Sequence, residues 1–279
     1  MRIATWNVNS VNARLPRVLS WLEHVRPDVC CLQEVKCAPA AFPFTEFRQH
    51  GYEAAVHAAG RWNGVALLSR VGLAEVRRGL QDEPGYLAEG ALFETTEPRA
   101  IGATCAGVRI WSVYVPNGRA VDHPQFTYKL RWLAALRTTA AGELRTPRPF
   151  CVAGDFNIAP TDRDVWDIAE FSSSTHVTES ERAELAELRR TGLEEVYPRA
   201  LRHDIPFTYW DYRASCLARN RGMRIDLVFG NAEFTAAVSD AYVDREARAG
   251  SGSSDHAPVV VDVFPQRQPA GNSSKINQV

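Results

Sequence analysis

Short apolar runs alternate along the chain with segments of helical periodicity. Residues 2–6 and 28–32 are apolar runs typical of buried strands. Residues 14–24 instead carry apolar side chains three and four positions apart, which is the spacing of an amphipathic helix. This alternation continues almost to the end of the chain. It predicts an α/β protein in which layered sheets are covered by outer helices.

The same patterns locate the remaining elements. Further strands are predicted at 64–68, 108–114, 150–154, 225–229 and 257–264, and further helices at 126–141 and 179–191. No interior linker divides the chain, so we expect residues 1–265 to form a single domain. Residues 266–279 are rich in Gln, Pro, Asn and Ser, a composition typical of a disordered tail.

Composition narrows the class of protein. The chain of 279 residues is 45% hydrophobic and 23% charged, as in ordinary soluble proteins. Its net charge of -1 gives no overall basic character, so binding to nucleic acid would require a local basic face. The six cysteines show neither zinc-ligand spacing nor the density of a disulfide scaffold. With no leader pattern and no membrane-length apolar run, we expect a cytoplasmic protein that does not contact membranes.

Polar side chains recur where the predicted strands end. The set comprises Asn7, Asn9, Gln33, Glu34, Lys36, Tyr114, Asn117, Asp155, Asn157, Asp226, Asp255 and His256. Strand ends hold side chains in fixed positions, as a metal or catalytic site requires. Asn7, Glu34, Asp155 and Asp255 together offer oxygen ligands, which suit Mg²⁺ or Mn²⁺ better than zinc. Taken singly, Glu34 would be a solvated or helix-capping carboxylate and Asn7 a turn residue.

His256 follows Asp255 at the mouth of the last predicted strand, and it admits several roles. It is a candidate general base, a candidate phosphate ligand, or a surface histidine. If Asp226 contacts the imidazole, it fixes the tautomer and favours the protonated form. Asp155 is an alternative base for a water molecule, with Asn157 orienting the water or a phosphate. The sequence does not rank these alternatives.

Two further segments are candidates for contacts with a phosphodiester. Tyr114, Asn117 and Arg119 offer a phenol, an amide and a guanidinium that can contact phosphate, although the tyrosine could equally pack on its neighbours. Residues 207–226, FTYWDYRASCLARNRGMRID, interleave aromatic residues with arginines. Such a segment can stack on nucleic-acid bases, or its aromatics can be core and its arginines a solvated face.

The ordered motifs carry a resemblance to a known family. WNVNS, LQEVK, NGVALLS, YVPNG, GDFNIAPTD, FTYWDYR, RNRGMRID and SDHAPV occur in this order. Together they resemble the exonuclease III family, the bacterial abasic-site endonucleases of the endonuclease/exonuclease/phosphatase superfamily. The resemblance runs from residue 2 to about residue 264, and WDYR with RNRGMRID favours the DNA-repair branch. It implies a four-layer α/β sandwich of two mixed sheets packed face to face, with helices outside.

The resemblance also implies roles for individual residues. The implied metal-site residues are Asn7, Glu34, Asp155, Asn157, Asp255 and His256. The implied catalytic residues are Tyr114, Asp155, Asn157, Asp226 and His256. The implied DNA-binding residues are Asn117, Arg119, Trp210, Arg213, Asn220 and Met223. Within these sets, Asp155 and Asn157 hold and activate water, Asp226 and His256 form a carboxylate–imidazole pair, and Trp210 helps to line the pocket for a base-less sugar.

The activity implied is Mg²⁺-dependent hydrolysis of duplex DNA on the 5′ side of an abasic site, with Mn²⁺ as the alternative metal. Exonuclease action from 3′ ends and removal of 3′ blocking groups would share the site, and the protein would act as a monomer. The chain departs from relatives at three places: the first bears on a second carboxylate at the metal, the second on the sugar pocket, and the third leaves the balance of exonuclease and endonuclease activity open. Asn9 stands where animal members carry Asp, Met223 stands where several members carry Trp, and segment 171–180 is shorter than in the enterobacterial enzyme.

Two other functions remain open at this point. One is a phosphodiesterase or phosphatase of the same superfamily that acts on a lipid or small molecule, and only segment 207–226 speaks against it. The other is a non-catalytic nucleic-acid-binding member, which would have no need of the complete catalytic set. Residues 201–207, LRHDIPF, could dock on a replication clamp, but a loop anchored by core residues explains them better.

Overall fold

The computed structural model describes residues 1–264, so the tail predicted at 266–279 lies outside the described residues. Its strands are β1 (Arg2–Asn7), β2 (Val29–Gln33), β3 (Glu53–His57), β4 (Val65–Ser69), β5 (Ala74–Arg78), β6 (Ala100–Cys105), β7 (Val108–Tyr114), β8 (Phe150–Asp155), β9 (Glu194–Glu195), β10 (Arg199–Ala200), β11 (Asp226–Gly230), β12 (Val238–Val243) and β13 (Val259–Val263). Its α-helices are α1 (Val11–Val25), α2 (Phe44–Gln49), α3 (Pro124–Glu143), α4 (Glu179–Arg190) and α5 (Ala232–Thr235).

These strands form two mixed sheets. One sheet has the order β10-β12-β13-β1-β2-β4-β3, and the other has the order β5-β6-β7-β8-β11-β9. Each contains a central parallel pair, β1 with β2 and β7 with β8, flanked by antiparallel neighbours. An apolar core lies between the sheets and includes Ile3, Cys31, Ile110 and Ala153. Apolar side chains of α1 cover the first sheet and those of α3 and α4 cover the second, which confirms the four-layer sandwich.

The predicted elements are present with shifted ends. Helix α1 begins at Val11 because the Ser10 side chain accepts a hydrogen bond from the Ala13 amide. It ends two residues before Pro27, where Arg26 adopts the left-handed conformation with φ 51°. Helix α3 begins earlier than predicted, at Pro124, a residue well suited to a first helical turn.

The apolar runs did not predict β3, β5, β6, β9, β10 or β12. Strand β5 is mostly exposed at a sheet edge, so its sequence AEVRR has no apolar pattern. Strand β6 contains Gly102, a residue that weakens a strand pattern. A Cβ at Gly102 would lie 2.5 Å from the Trp111 ring, so the glycine lets β6 pass close to this side chain.

The packing of the sheets brings the carboxyl ends of four strands to one edge of the sandwich. Strand β1 packs across the interface on β8, and β2 packs on β7. Buried polar contacts fix this register, because the Gln33 side-chain amide donates to Ser112 in the opposite sheet and to Thr5 beside it, both at 3.0 Å. The residues that follow β1, β2, β7 and β8 therefore converge. No helix in residues 1–264 is long and apolar enough to cross a membrane.

Candidate active site

An imidazole lies between two carboxylates at this edge. Asp226 opens β11 directly opposite Asp155 at the end of β8, and His256 precedes β13. His256 Nδ1 lies 2.8 Å from Asp226 Oδ2, so the predicted carboxylate–imidazole contact is present. His256 Nε2 lies 3.8 Å from Asp155 Oδ2. The ring is 4% exposed and is flanked by Tyr209, with ring centroids 5.0 Å apart.

The two carboxylates determine the charge of the histidine. Burial opposes protonation of His256, but the negative charges of Asp226 and Asp155 outweigh it and raise the histidine pKa to about 10. The imidazole is therefore a cation at neutral pH. A protonated imidazole cannot ligate a metal or accept a proton, which favours the phosphate-neutralising role over that of general base or metal ligand.

The pKa of Asp155 is set by opposing interactions. Burial raises the pKa of its carboxyl, and the charge of Asp226 raises it further, while His256 opposes both. The resulting pKa is about 7. A carboxylate with such a pKa is suited to general base catalysis near neutral pH.

Glu34 and Asn7 complete the acidic side of the site. One amide nitrogen, Asn7 Nδ2, donates to Glu34 Oε1 and to Asp155 Oδ2, each at 2.9 Å, and so holds the two carboxylates together. Burial would raise the pKa of Glu34, but an ion pair with Lys36 and the Asn7 hydrogen bond lower it overall. Glu34 has φ 52°, a left-handed conformation that a non-glycine residue adopts at some energetic cost.

Asn9 takes part in the site as a neutral connector. Its side-chain amide donates to Asp255 Oδ1 at 3.1 Å, and its oxygen accepts from Lys36 Nζ at 2.7 Å. An aspartate in its place would face the carboxylate of Asp255. The asparagine thus keeps Asp255, on the rim of the site, hydrogen-bonded without adding a further negative charge.

Tyr114 ends β7 beside Glu34. Burial and the neighbouring Glu34 charge raise the Tyr114 pKa well above its ordinary value, so the phenol keeps its proton. The Arg99 guanidinium lies 4.7 Å from the centroid of the Tyr114 ring and forms an ion pair with Glu97 at 2.6 Å. Arg99 was not singled out by sequence, since it follows a loop without an apolar pattern.

Asn157 and Asn117 meet, as expected for neighbouring strand ends, and a histidine joins them. Asn117 Nδ2 donates to Asn157 Oδ1 at 3.1 Å, and His176 Nε2 lies 3.2 Å from both atoms. Burial and the charge of Lys129 lower the His176 pKa to about 4, so this imidazole is neutral. Neither His176 nor Lys129 was predicted. His176 lies in an irregular segment that has no recognisable pattern. Lys129 could have been identified from the sequence, because lysine is rare in this chain and this one lies on the apolar face of a helix.

The predicted DNA-binding residues are distributed between surface and core. Arg213 is exposed and pairs with Asp211, and Arg119 lies on the exposed loop after Asn117. Trp210 and Met223 are buried, at 1% and 9% exposure, so they present little surface to a ligand. The Trp210 indole donates instead to Asn220 Oδ1 at 3.3 Å. For Trp210 the structure matches the core interpretation of segment 207–226, and a direct DNA contact stays a prediction.

The buried acidic cluster fits a divalent cation. Asp155, Asp226 and His256 bring polar atoms within 4.8 Å of one another, and because the protonated His256 does not ligate a metal, the two carboxylates are the ligands that this group offers. Asp226 Oδ1 is buried and has no hydrogen-bond partner among the described residues, and such an oxygen is costly unless a cation or donor satisfies it. Glu34 and Asp155 lie on either side of the Asn7 amide, which makes them the best-placed anionic ligands for a hard metal.

Comparisons with known proteins identify the family of the chain. The sequence model of the Endonuclease/Exonuclease/phosphatase family matches residues 4–256. The chain is 28% identical to exodeoxyribonuclease III of Haemophilus influenzae over 270 residues, which span 93% of this chain and 98% of that protein.

Two solved structures share the fold. NExo from Neisseria, described as a 3′ phosphatase and bound to a product DNA hairpin, is 35% identical, with a TM-score of 0.88 and coverage of 95% of this chain and 99% of that one. An AP endonuclease from Archaeoglobus fulgidus is 29% identical, with a TM-score of 0.85 and coverage of 94% and 99%. The chain therefore belongs to the Endonuclease/Exonuclease/phosphatase family.

Proposed function

We propose that this protein is a DNA-repair hydrolase that uses Mg²⁺, or alternatively Mn²⁺. It cleaves the phosphodiester 5′ to an abasic site in duplex DNA, removes blocking groups from 3′ ends and degrades DNA from 3′ ends. The observation that carries the proposal is the convergence of Glu34, Asp155, Asn157, Asp226 and His256 at one edge of the sandwich. The names of the relatives support all three activities.

Each residue of the site has its own role in the proposed reaction. Asp155 takes the proton from the attacking water, and in the metal-free protein its pKa is about 7. The His256 cation, oriented by Asp226, neutralises the phosphate, and the Tyr114 phenol donates to it. Glu34 and Asp155, joined by Asn7, would hold the metal, with Asp255 at the rim. When bound, the metal supplies charge stabilisation for the phosphate and the leaving 3′ oxygen.

Substrate selection rests on shape and on local charge. Asn117 and Arg119 would contact the DNA backbone beside the reacting phosphate, so binding should weaken as salt rises. An abasic nucleotide costs less to extrude from the duplex than a paired one, which favours cleavage there. We place the enzyme in the cytoplasm as a monomer. Clamp docking through residues 201–207 has little support, because Phe207 is buried in the core.

The two alternative functions lack comparable support. A lipid or small-molecule phosphatase would share the catalytic residues, but the relatives described above act on DNA by name. A binding-only protein would not need the His256–Asp226 pair or the bridged carboxylates. Both alternatives make distinct predictions in the following experiment.

The test uses two duplexes, one with a single tetrahydrofuran abasic analogue and one with a 3′-phosphate. Cleavage is compared with Mg²⁺, with EDTA, and with the His256→Ala and Glu34→Ala variants. We expect metal-dependent incision 5′ to the analogue and release of phosphate, both lost in each variant. Binding without cleavage would favour the binding-only alternative. Neither binding nor cleavage by folded wild-type protein would contradict the proposal and point to lipid or nucleotide substrates.

A further inference from the structure

A lysine lies buried beneath the two asparagines of the site. Lys129, in the second turn of α3, is 0% exposed, and its ammonium donates to the backbone carbonyls of Asn117 at 3.1 Å and Asn157 at 2.7 Å. These carbonyls belong to different loops, one following β7 and the other following β8. The side chains of the same two asparagines contact each other at 3.1 Å. One ammonium group thus joins both loops at two residues of the candidate site.

The counter-ion of Lys129 is also buried and connects a third loop. Glu181, in the first turn of α4, forms the ion pair with Lys129, and both side chains are 0% exposed. Glu181 accepts hydrogen bonds from the Thr175 hydroxyl at 2.6 Å and the His176 amide at 2.9 Å. It also accepts from Thr178 and closes the capping box of α4. The loop that carries His176 is therefore fixed to the same ion pair.

Stability alone does not explain this arrangement. The desolvation cost of a buried ion pair often exceeds its attraction, and well-packed neutral side chains can replace such a pair without loss of stability. A neutral apolar side chain could not, however, donate to the carbonyls of Asn117 and Asn157. The feature that requires a lysine is the set of donors directed at the two site loops.

We propose that Lys129 is a positioning residue for catalysis. It acts through the backbone of Asn117 and Asn157, while Glu181 keeps it charged and ties the His176 loop to it. Loss of these donors lets the asparagines move relative to Asp155 and the phosphate. A displacement of about 1 Å can lower a catalytic rate about 100-fold. This inference rests on the proposed function, because it concerns cleavage at that site.

The experiment compares two matched double variants. Lys129→Met/Glu181→Gln removes both charges and keeps the volume nearly constant. Arg137→Met/Glu184→Gln removes another ion pair between α3 and α4, which has an N–O distance of 3.0 Å and does not include a residue of the candidate site. Steady-state cleavage of the tetrahydrofuran and 3′-phosphate duplexes gives kcat and KM, and thermal unfolding is followed for every protein.

We expect Lys129→Met/Glu181→Gln to fold with a melting temperature near that of the wild type, with kcat lowered about 100-fold and KM changed by less than about threefold. The control should keep its kcat. Folded Lys129→Met/Glu181→Gln protein with kcat within about threefold of the wild type would overturn the inference, and so would failure to fold, since the pair would then be structural. Wild-type protein inactive on both duplexes would instead refute the proposed function.

Discussion

The sandwich contains buried charge clusters at both ends, and they differ in how completely their carboxylate oxygens are satisfied. At the end opposite the site, Glu143 accepts hydrogen bonds from Arg109 at 3.0 Å, Trp111 at 3.0 Å and Arg148 at 3.1 Å. Arg148 also pairs with Glu75. We call this group the basal cluster. Every carboxylate in it has a cationic partner, and although burial opposes it, Arg109 lowers the pKa of Glu143.

The catalytic cluster is formed by Glu34, Asp155, Asp226, His256 and Lys36. It holds three carboxylates against two cations, Asp155 has a raised pKa, and Asp226 Oδ1 lacks a partner. The comparison teaches that buried charge alone does not indicate function. We infer that the incomplete satisfaction of its acidic oxygens distinguishes the catalytic cluster as the site for a cation and a phosphate.

The largest contrast concerns catalysis. His256→Ala should lower the rate of incision by at least about 1,000-fold, because the phosphate loses its neutralising cation. Glu143→Gln in the basal cluster should leave the rate per folded molecule unchanged. Single-turnover cleavage of the abasic duplex measures both. Equal losses in the two variants would remove the functional distinction between the clusters.

The catalytic and basal clusters should also differ in metal binding. Saturating Mg²⁺ should raise the free energy of unfolding of the wild type by about 2–3 kcal/mol at 100 times its dissociation constant. Glu34→Gln should lower this gain by at least about 1.4 kcal/mol, because loss of a candidate ligand weakens binding at least about tenfold, and Glu143→Gln should retain it. Thermal unfolding with Mg²⁺ and with EDTA provides the test. A gain in Glu34→Gln equal to that of the wild type would place the cation elsewhere.

The basal cluster should contribute more to the free energy of unfolding than a more exposed ion pair does. Glu143→Gln leaves the buried Arg109 without its charged partner, so we expect a loss of about 3 kcal/mol in the free energy of unfolding. Urea denaturation measures this loss in metal-free protein. The matched variant Glu184→Gln removes one partner of the more exposed Arg137 pair and should cost less than about 1 kcal/mol. Similar losses in Glu143→Gln and Glu184→Gln would mean that the basal cluster contributes no more to stability than the more exposed ion pair does.

The smallest predicted effect is a stabilisation. The Asp155 pKa is raised on folding to about 7, so the folded protein binds a proton that the unfolded chain has released, and stability falls as pH rises from the unfolded pKa toward the folded one. In EDTA, Asp155→Asn should therefore stabilise the protein more near about pH 8 than near about pH 5, by about 2 kcal/mol. Denaturation at both pH values checks this sign. Destabilisation by Asp155→Asn at the higher pH would contradict it.

The sequence predicted what depends on local pattern. Apolar runs locate the central strands, and polar residues at the strand ends converge at one edge of the sandwich, such as Glu34 after β2, Asp155 at the end of β8 and His256 before β13. Spacing could not show that His176 reaches Asn157, since that contact depends on the path of an irregular loop. It also could not show that Trp210 is covered, because an aromatic residue among arginines is equally consistent with core and surface.

The central claim is that the catalytic cluster, and not the basal cluster, binds the divalent cation. Calorimetric titration with Mn²⁺ tests this most directly, in wild type, Glu34→Gln and Glu143→Gln. We predict saturable binding to the wild type, weakened at least about tenfold in Glu34→Gln and unchanged in Glu143→Gln. Binding that is equally strong in wild type and Glu34→Gln, or that is lost in Glu143→Gln, would contradict the claim.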